Sequence, residues 1–115
     1  MRMAEIIGTD EFEAWYLALS EEDVRAVDRL VGLLEAQGVQ LGHPYSSALL
    51  NTKYAIRELR HRGASNPIRI LYIFDKTRAA ILLVAGNKKS DDRFYERMVP
   101  LAERVWEQYA KEQHH

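Results

Sequence analysis

Two apolar segments joined by a four-residue turn constrain this chain most. Ile68–Phe74 is β-branched and aromatic, and Ala79–Ala85 is apolar at every position. Between them stands Asp75-Lys76-Thr77-Arg78, a tight-turn sequence. Runs of this length bounded by turn residues read as strands. Ala79–Ala85 has no polar face, so it is expected to be buried on both sides, at the centre of a sheet. The longest apolar run, Ala79 to Gly86, falls well short of the ~18 residues of a membrane span.

The other elements must cover this pair. Tyr54–Arg60 reads as a further strand, and Gly63–Pro67 as a turn-rich connection to Ile68. Two successive hairpins then give an antiparallel meander. Met3–Ile7 is a candidate first strand. Thr9-Asp10 offers a helix cap, with Glu13 placed as in a capping box. Phe12, Trp15, Tyr16 and Leu19 follow at helical spacing, and Ser20 with Asp23 restarts the cap signal. Val24, Val27, Val31 and Leu34 continue the stripe to Gly38, a natural C-terminal stop. Residues 10–37 therefore read as a helical hairpin with an acidic outer face. Gly42-His43-Pro44 is a loop. Phe94, Met98, Leu101, Ala102, Val105 and Tyr109 form a last stripe, interrupted by Pro100. Either one helix ends near Met98 and another starts, or one helix kinks. The order is β-α-α-β-β-β-α. The fold class is α+β, an N-terminal helical hairpin packed on a small antiparallel sheet. One domain over residues 1–113 is expected, with His114 and His115 as a tail or tag remnant.

With no cysteine, there is no disulfide, zinc-thiolate site or thiol nucleophile. His43 and His61 are too few and too far apart for a metal site. Neither a phosphate-cradling glycine loop nor a Gly-x-Ser-x-Gly elbow is present. Ser46 and Ser47 follow a loop proline without an evident base. No metal and no cofactor are expected. No basic-then-apolar leader opens the sequence, and the cytoplasm is the expected compartment, without membrane attachment.

The net charge of −1 hides an asymmetry. Residues 1–42 carry three basic against nine acidic groups, and residues 43–97 carry eleven against five. Such a split points to an acidic partner or nucleic acid, or to a chance patch. Nine of the basic groups lie on or beside the strands: Lys53, Arg57, Arg60, Arg62, Arg69, Lys76, Arg78, Lys88 and Lys89. Strand alternation puts Ile56, Glu58 and Arg60 on one face and Arg57 with Leu59 on the other. Arg69, in mid-strand, is costly to bury alone. It must meet an acid, such as Glu58, or open into a groove. Gly86-Asn87-Lys88-Lys89 then brings two lysines to a strand end. Converging Arg and Lys suit a phosphate and a phosphoryl transition state, although a Lys-Lys pair also suits a solvated loop.

The segments Ile56-Arg57-Glu58-Leu59-Arg60, Ile68-Arg69-Ile70-Leu71-Tyr72, Gly86-Asn87-Lys88-Lys89 and Asp91-Asp92-Arg93-Phe94-Tyr95-Glu96 resemble, in this order and spacing, the RelE/ParE toxin superfamily. Within it they are most similar to the HigB-like, phage-derived branch, from about Phe12 to Tyr109. The resemblance implies a RelE-like fold and a toxin of a type II toxin–antitoxin pair. It implies a metal-independent messenger RNA endonuclease, ribosome-dependent, that inhibits translation. Arg69 would contact the scissile phosphate. Lys88 or Lys89 would stabilise the transition state or leaving group. Glu58 stands where RelE itself tends to have a lysine, and would take the 2′-hydroxyl proton or pair with Arg69. Arg60, Arg57, Lys53, Arg62 and Tyr95 would hold RNA, Tyr95 being the nearest counterpart of a late tyrosine of RelE. The implied partners are messenger RNA, the ribosome and a helix-turn-helix antitoxin that covers the site. A homodimer and a toxin–antitoxin heterotetramer are both open. The alternatives are a ParE-like inhibitor of gyrase and an inactive phage-derived binding protein.

Overall fold

The computed structural model describes residues 2–61 and 67–113. The elements are β1 (Ile6–Gly8), α1 (Asp10–Leu17), α2 (Glu21–Gln37), a short 3-10 turn (Gly38–Gln40), β2 (Ser46–Ala48), β3 (Arg57–Arg60), β4 (Ile68–Phe74), β5 (Ala80–Asn87) and α3 (Phe94–Glu112). The five strands form one sheet in the order β1-β5-β4-β3-β2. The β4–β5 pair lies inside it, as its two apolar faces require. Asp75 closes the turn between them: its side chain accepts hydrogen bonds from the backbone of Thr77 (2.8 Å) and Ala79 (3.0 Å).

Both faces of the β4–β5 pair are covered. On one face Leu59, Ile70, Tyr72 and Leu82 pack with Phe12, Val27, Leu30 and Leu34 of α1 and α2. On the other, Leu71, Ile73, Ile81 and Leu83 pack with Phe94, Met98, Ala102 and Val105 of α3. The helical hairpin and α3 thus stand on opposite sides of the sheet. Among the described residues, no helix is long and apolar enough to cross a membrane.

Four expectations are corrected. The sheet is mixed: β1 pairs with β5 in parallel, Ile7 opposite Ile81. A strand that the sequence reading passed over, β2, pairs antiparallel with β3 at the far edge. Three residues cannot show a periodicity. The strand read over Tyr54–Arg60 starts at Arg57, because a bond from Ile56 N to Tyr54 O (2.7 Å) turns the chain just before it. The cap of α1 is Thr9, one residue earlier than a box with Glu13 needs. Its hydroxyl accepts from Phe12 N (3.1 Å) and donates to Leu83 O (2.7 Å), tying the helix start to β5. The Ser20 cap and the Gly38 stop stand as read, with Gly38 at φ 55°.

The choice left open at Pro100 resolves to one helix, which runs through it from Phe94 to Glu112. Proline removes one backbone bond there. The helix nevertheless continues because Phe94 and Met98 before it, and Ala102 and Val105 after it, are buried against the same sheet face. The turn expected at residues 63–66 and the tail at 114–115 lie outside the described residues.

Ile70 is fully buried in mid-β4, whereas Leu17 is 82% exposed at the end of α1. Denaturant unfolding should show Ile70→Ala losing about 2–5 kcal/mol. Leu17→Ala should stay within about 0.5 kcal/mol of the wild type.

Candidate functional site

The sheet register builds the site. Arg60 of β3 stands opposite Arg69 of β4, which stands opposite Gly86 of β5. By strand alternation Glu58, Arg60 and Arg69 face the α3 side. Apolar residues fill that face further along the strands, so these polar side chains gather where the first turn of α3 begins. Gly86 lets α3 come close. A Cβ there would sit 3.0 Å from Cε1 of Phe94, a buried ring with Met98 beside it. Asp91 fixes the start of the helix. It accepts from Arg93 N at 3.1 Å and holds the guanidinium of Arg97, which keeps its carboxyl below the usual range.

Tyr95 is then delivered over the polar cluster. Its hydroxyl donates to Glu58 Oε2 at 2.6 Å. Glu58 is only 5% exposed, and Arg60 Nη1 stands 3.9 Å from its other oxygen. Lys88 Nζ lies 5.1 Å from the centre of the Tyr95 ring, a cation–π distance. Arg69 Nη1 donates to the carbonyl of Ile68 at 3.0 Å. Nε of Arg60 and Nε of Arg69 are buried without a hydrogen-bond partner among the described residues. A buried donor left unmatched costs about 1–3 kcal/mol. The two arginines that carry them are register partners, so two positive charges stand side by side on this face. A cavity of about 360 Å3 adjoins the cluster on the β2 side, lined by Glu58, Tyr95, Val99 and residues 47–50.

The structure brings together Glu58, Arg60, Arg69, Lys88 and Tyr95. The other expected residues lie elsewhere. Lys89 is exposed and its backbone N–H is held by Asn87 Oδ1 at 2.9 Å, so of the two lysines Lys88 is the one at the cluster. Arg57 faces the helical hairpin, where its Nε donates to Ser46 Oγ at 3.2 Å. Lys53 lies beside the later turns of α3. Its backbone N–H donates to Glu103 (2.6 Å) and its ammonium pairs with Glu107 (3.5 Å). Arg62 lies outside the described residues. The expected partner of Glu58 is also corrected. Among the described residues it is met by Tyr95 and Arg60, not by Arg69, because the register sets Arg60, not Glu58, opposite Arg69. Residues 48–50 and Val99 were not singled out from the sequence, and Ser47 only as a serine without a base, because a short strand and a loop carry no motif.

The phenol of Tyr95 is pushed up to about 12 from 10.0, by burial first, then by the bond to Glu58 and its charge, with Arg69 pulling the other way. The fold therefore favours the protonated phenol. That contribution is complete below pH 10.0 and fades as the pH climbs to about 12. Tyr95→Phe keeps the ring and cannot ionise. Urea unfolding across that window should show the wild type losing more stability than Tyr95→Phe.

With this geometry in view, the chain matches the family described as phage derived protein Gp49-like (DUF891) over residues 14–107. It is 34% identical over 111 residues to a Mycobacterium tuberculosis protein (strain ATCC 25618 / H37Rv) that bears the name of a toxin, HigB3. That alignment covers 95% of this chain and 96% of the relative. A second protein of the same organism, bearing the toxin name HigB2, is 30% identical over 104 residues. There the alignment covers 87% of this chain and 51% of the relative, so the chain spans about half of that protein. The resemblance of the Glu58, Arg69, Lys88 and Tyr95 segments to a HigB-like, phage-derived branch agrees with these matches. The chain belongs to the phage-derived Gp49-like family.

Proposed function

We propose that the chain is the toxin of a toxin–antitoxin pair and acts as a metal-independent endoribonuclease on messenger RNA at the ribosome. The observation that carries this reading is the buried Glu58–Tyr95 pair set among Arg60, Arg69 and Lys88. The toxin names of both relatives support it. So does the α+β arrangement of three helices about a sheet, which suits a RelE-like fold.

The chemistry needs only a positioned internal nucleophile and charge stabilisation. The ribose 2′-hydroxyl gives its proton to Glu58 and its oxygen bonds to the adjacent phosphorus. The bond from phosphorus to the 5′-oxygen breaks, leaving a 2′,3′-cyclic phosphate and a 5′-hydroxyl. Arg69 and Arg60 bring positive charge to the phosphate, where negative charge grows. Lys88 stabilises the departing 5′-oxygen and supplies its proton. Tyr95, with its phenol held protonated, orients the Glu58 carboxylate. Lys89 and the exposed basic residues near it hold the RNA backbone. A cognate helix-turn-helix antitoxin covers the site, and the protein works in the cytoplasm.

Induction in a bacterium, with messenger RNA 5′ ends mapped within minutes, tests the reading. New ends inside coding regions are expected. Arg69→Ala should reduce their rate of appearance by about 100- to 1000-fold while circular dichroism remains that of the wild type. Growth arrest with intact RNA would overturn the nuclease and direct attention to gyrase.

A further inference from the structure

We infer that the cavity between β2 and α3 is a nucleobase subsite, which takes the base on the 5′ side of the cleaved bond. The inference rests on the reading of the site as RNA-cleaving and names which part of the RNA the cavity holds.

The placement is the first argument. Across the sheet from β5 to β2 come Lys88, then Arg69, then Arg60 and Glu58, then the cavity. Glu58 and Tyr95 belong to both the charged cluster and the cavity lining. A nucleotide has the same polarity, an anionic phosphate at one end and a flat, largely apolar base at the other. With the phosphate on Arg69 and the 2′-hydroxyl on Glu58, the nucleoside that carries this hydroxyl must lie beside Glu58. Its base then has the cavity next to it.

The lining is the second argument. Apart from Glu58, it is Ser47, Ala48, Leu49, Leu50, Val99 and the Tyr95 ring, apolar but for one hydroxyl and the phenol. Small-molecule sites are of this type, mostly apolar with a few placed polar groups. Leu50 is 84% exposed, a large apolar side chain on the rim. A base entering the cavity would cover it.

The strand edge is the third argument. β2 is the last strand of the sheet. Arg60 N donates to Tyr45 O at 2.8 Å, and Leu49 N donates to Ile56 O at 3.0 Å. The backbone groups of residues 45, 47 and 49 therefore point inward to β3. Those of Ala48 point out from the edge by alternation. An N–H donor and a carbonyl acceptor on one exposed residue match the donor and acceptor groups along the edge of a nucleobase. The groove on the hairpin side, by contrast, is edged by Glu13, Asp28 and Glu35 and would repel phosphate.

The test is an amide NMR titration of the full chain with each of the four nucleoside 3′-monophosphates, and with inorganic phosphate as the reference ligand. Phosphate should move signals around Arg60, Arg69 and Lys88 only. The nucleotides should also move residues 47–50 and Val99, bind at least about tenfold more tightly than phosphate, and differ among the four bases. Leu50→Ser, at an exposed position that leaves the fold intact, should cut the advantage of nucleotide over phosphate by about threefold or more and leave phosphate binding unchanged. Equal affinities for nucleotides and phosphate, with residues 47–50 still, would overturn the subsite. So would shifts at residues 47–50 that arise only when a partner protein is added. Base-dependent binding by a chain that cuts no RNA in cells would uphold the subsite and sink the nuclease reading instead.

Discussion

Double-sided burial of the β4–β5 pair governs the architecture. Ile70, Tyr72 and Leu82 point one way, and Leu71, Ile73 and Ile81 point the other. Neither face can be left in water at ~25 cal/mol per Å2 of apolar surface. One face takes α1 and α2, and the other takes α3. Once both are covered, polar side chains on the α3 face gather, among the described residues, near the end of the strands, and the candidate site forms there. The close approach of Phe94 to Gly86 sets the height of α3 above the sheet, and with it the reach of Tyr95 to Glu58.

Electrostatics follow from that geometry. A carboxylate as buried as Glu58 is costly unless donors meet it. Tyr95 gives it a short hydrogen bond and Arg60 a nearby charge, which leaves Arg69 free of it. Arg69 and Arg60 each keep a buried Nε–H without a hydrogen-bond partner among the described residues. The acidic hairpin stands on the opposite side of the sheet, where its charge does not oppose an anion at the cluster. The acidic residues that α1 and α2 carry thus lie across the sheet from the cluster.

Much of the site was legible before any coordinates. Arg69 breaks an apolar strand, and alternation pairs Glu58 with Arg60 within their own strand, but only the register between the strands puts all three on one face. The closeness of Tyr95 was visible only as a family likeness, because a helix and a strand 37 residues apart meet by packing and not by spacing. Alternation also set Arg57 on the other face, yet its charge kept it among the candidates. Lys53 had no such warning. Its pairing with Glu107 depends on where a loop meets the later turns of α3.

The sequence by itself determined the inner hairpin, the two-helix segment with its Ser20 cap and Gly38 stop, and the shared face of Glu58 and Arg60 within their strand. These depend on local periodicity and on backbone preferences within a few residues. Tertiary structure decided the rest. It set β1 parallel to β5 and added β2, since three-residue strands are specified by their partners and not by their own pattern. It carried α3 through Pro100, because sheet contacts on both sides of the proline outweigh one lost backbone bond. It set Lys88, not Lys89, over the Tyr95 ring, and gave Glu58 the Tyr95 hydroxyl as its hydrogen-bond donor. Each of those choices is a distance between elements far apart in the chain, fixed only when the two cores pack.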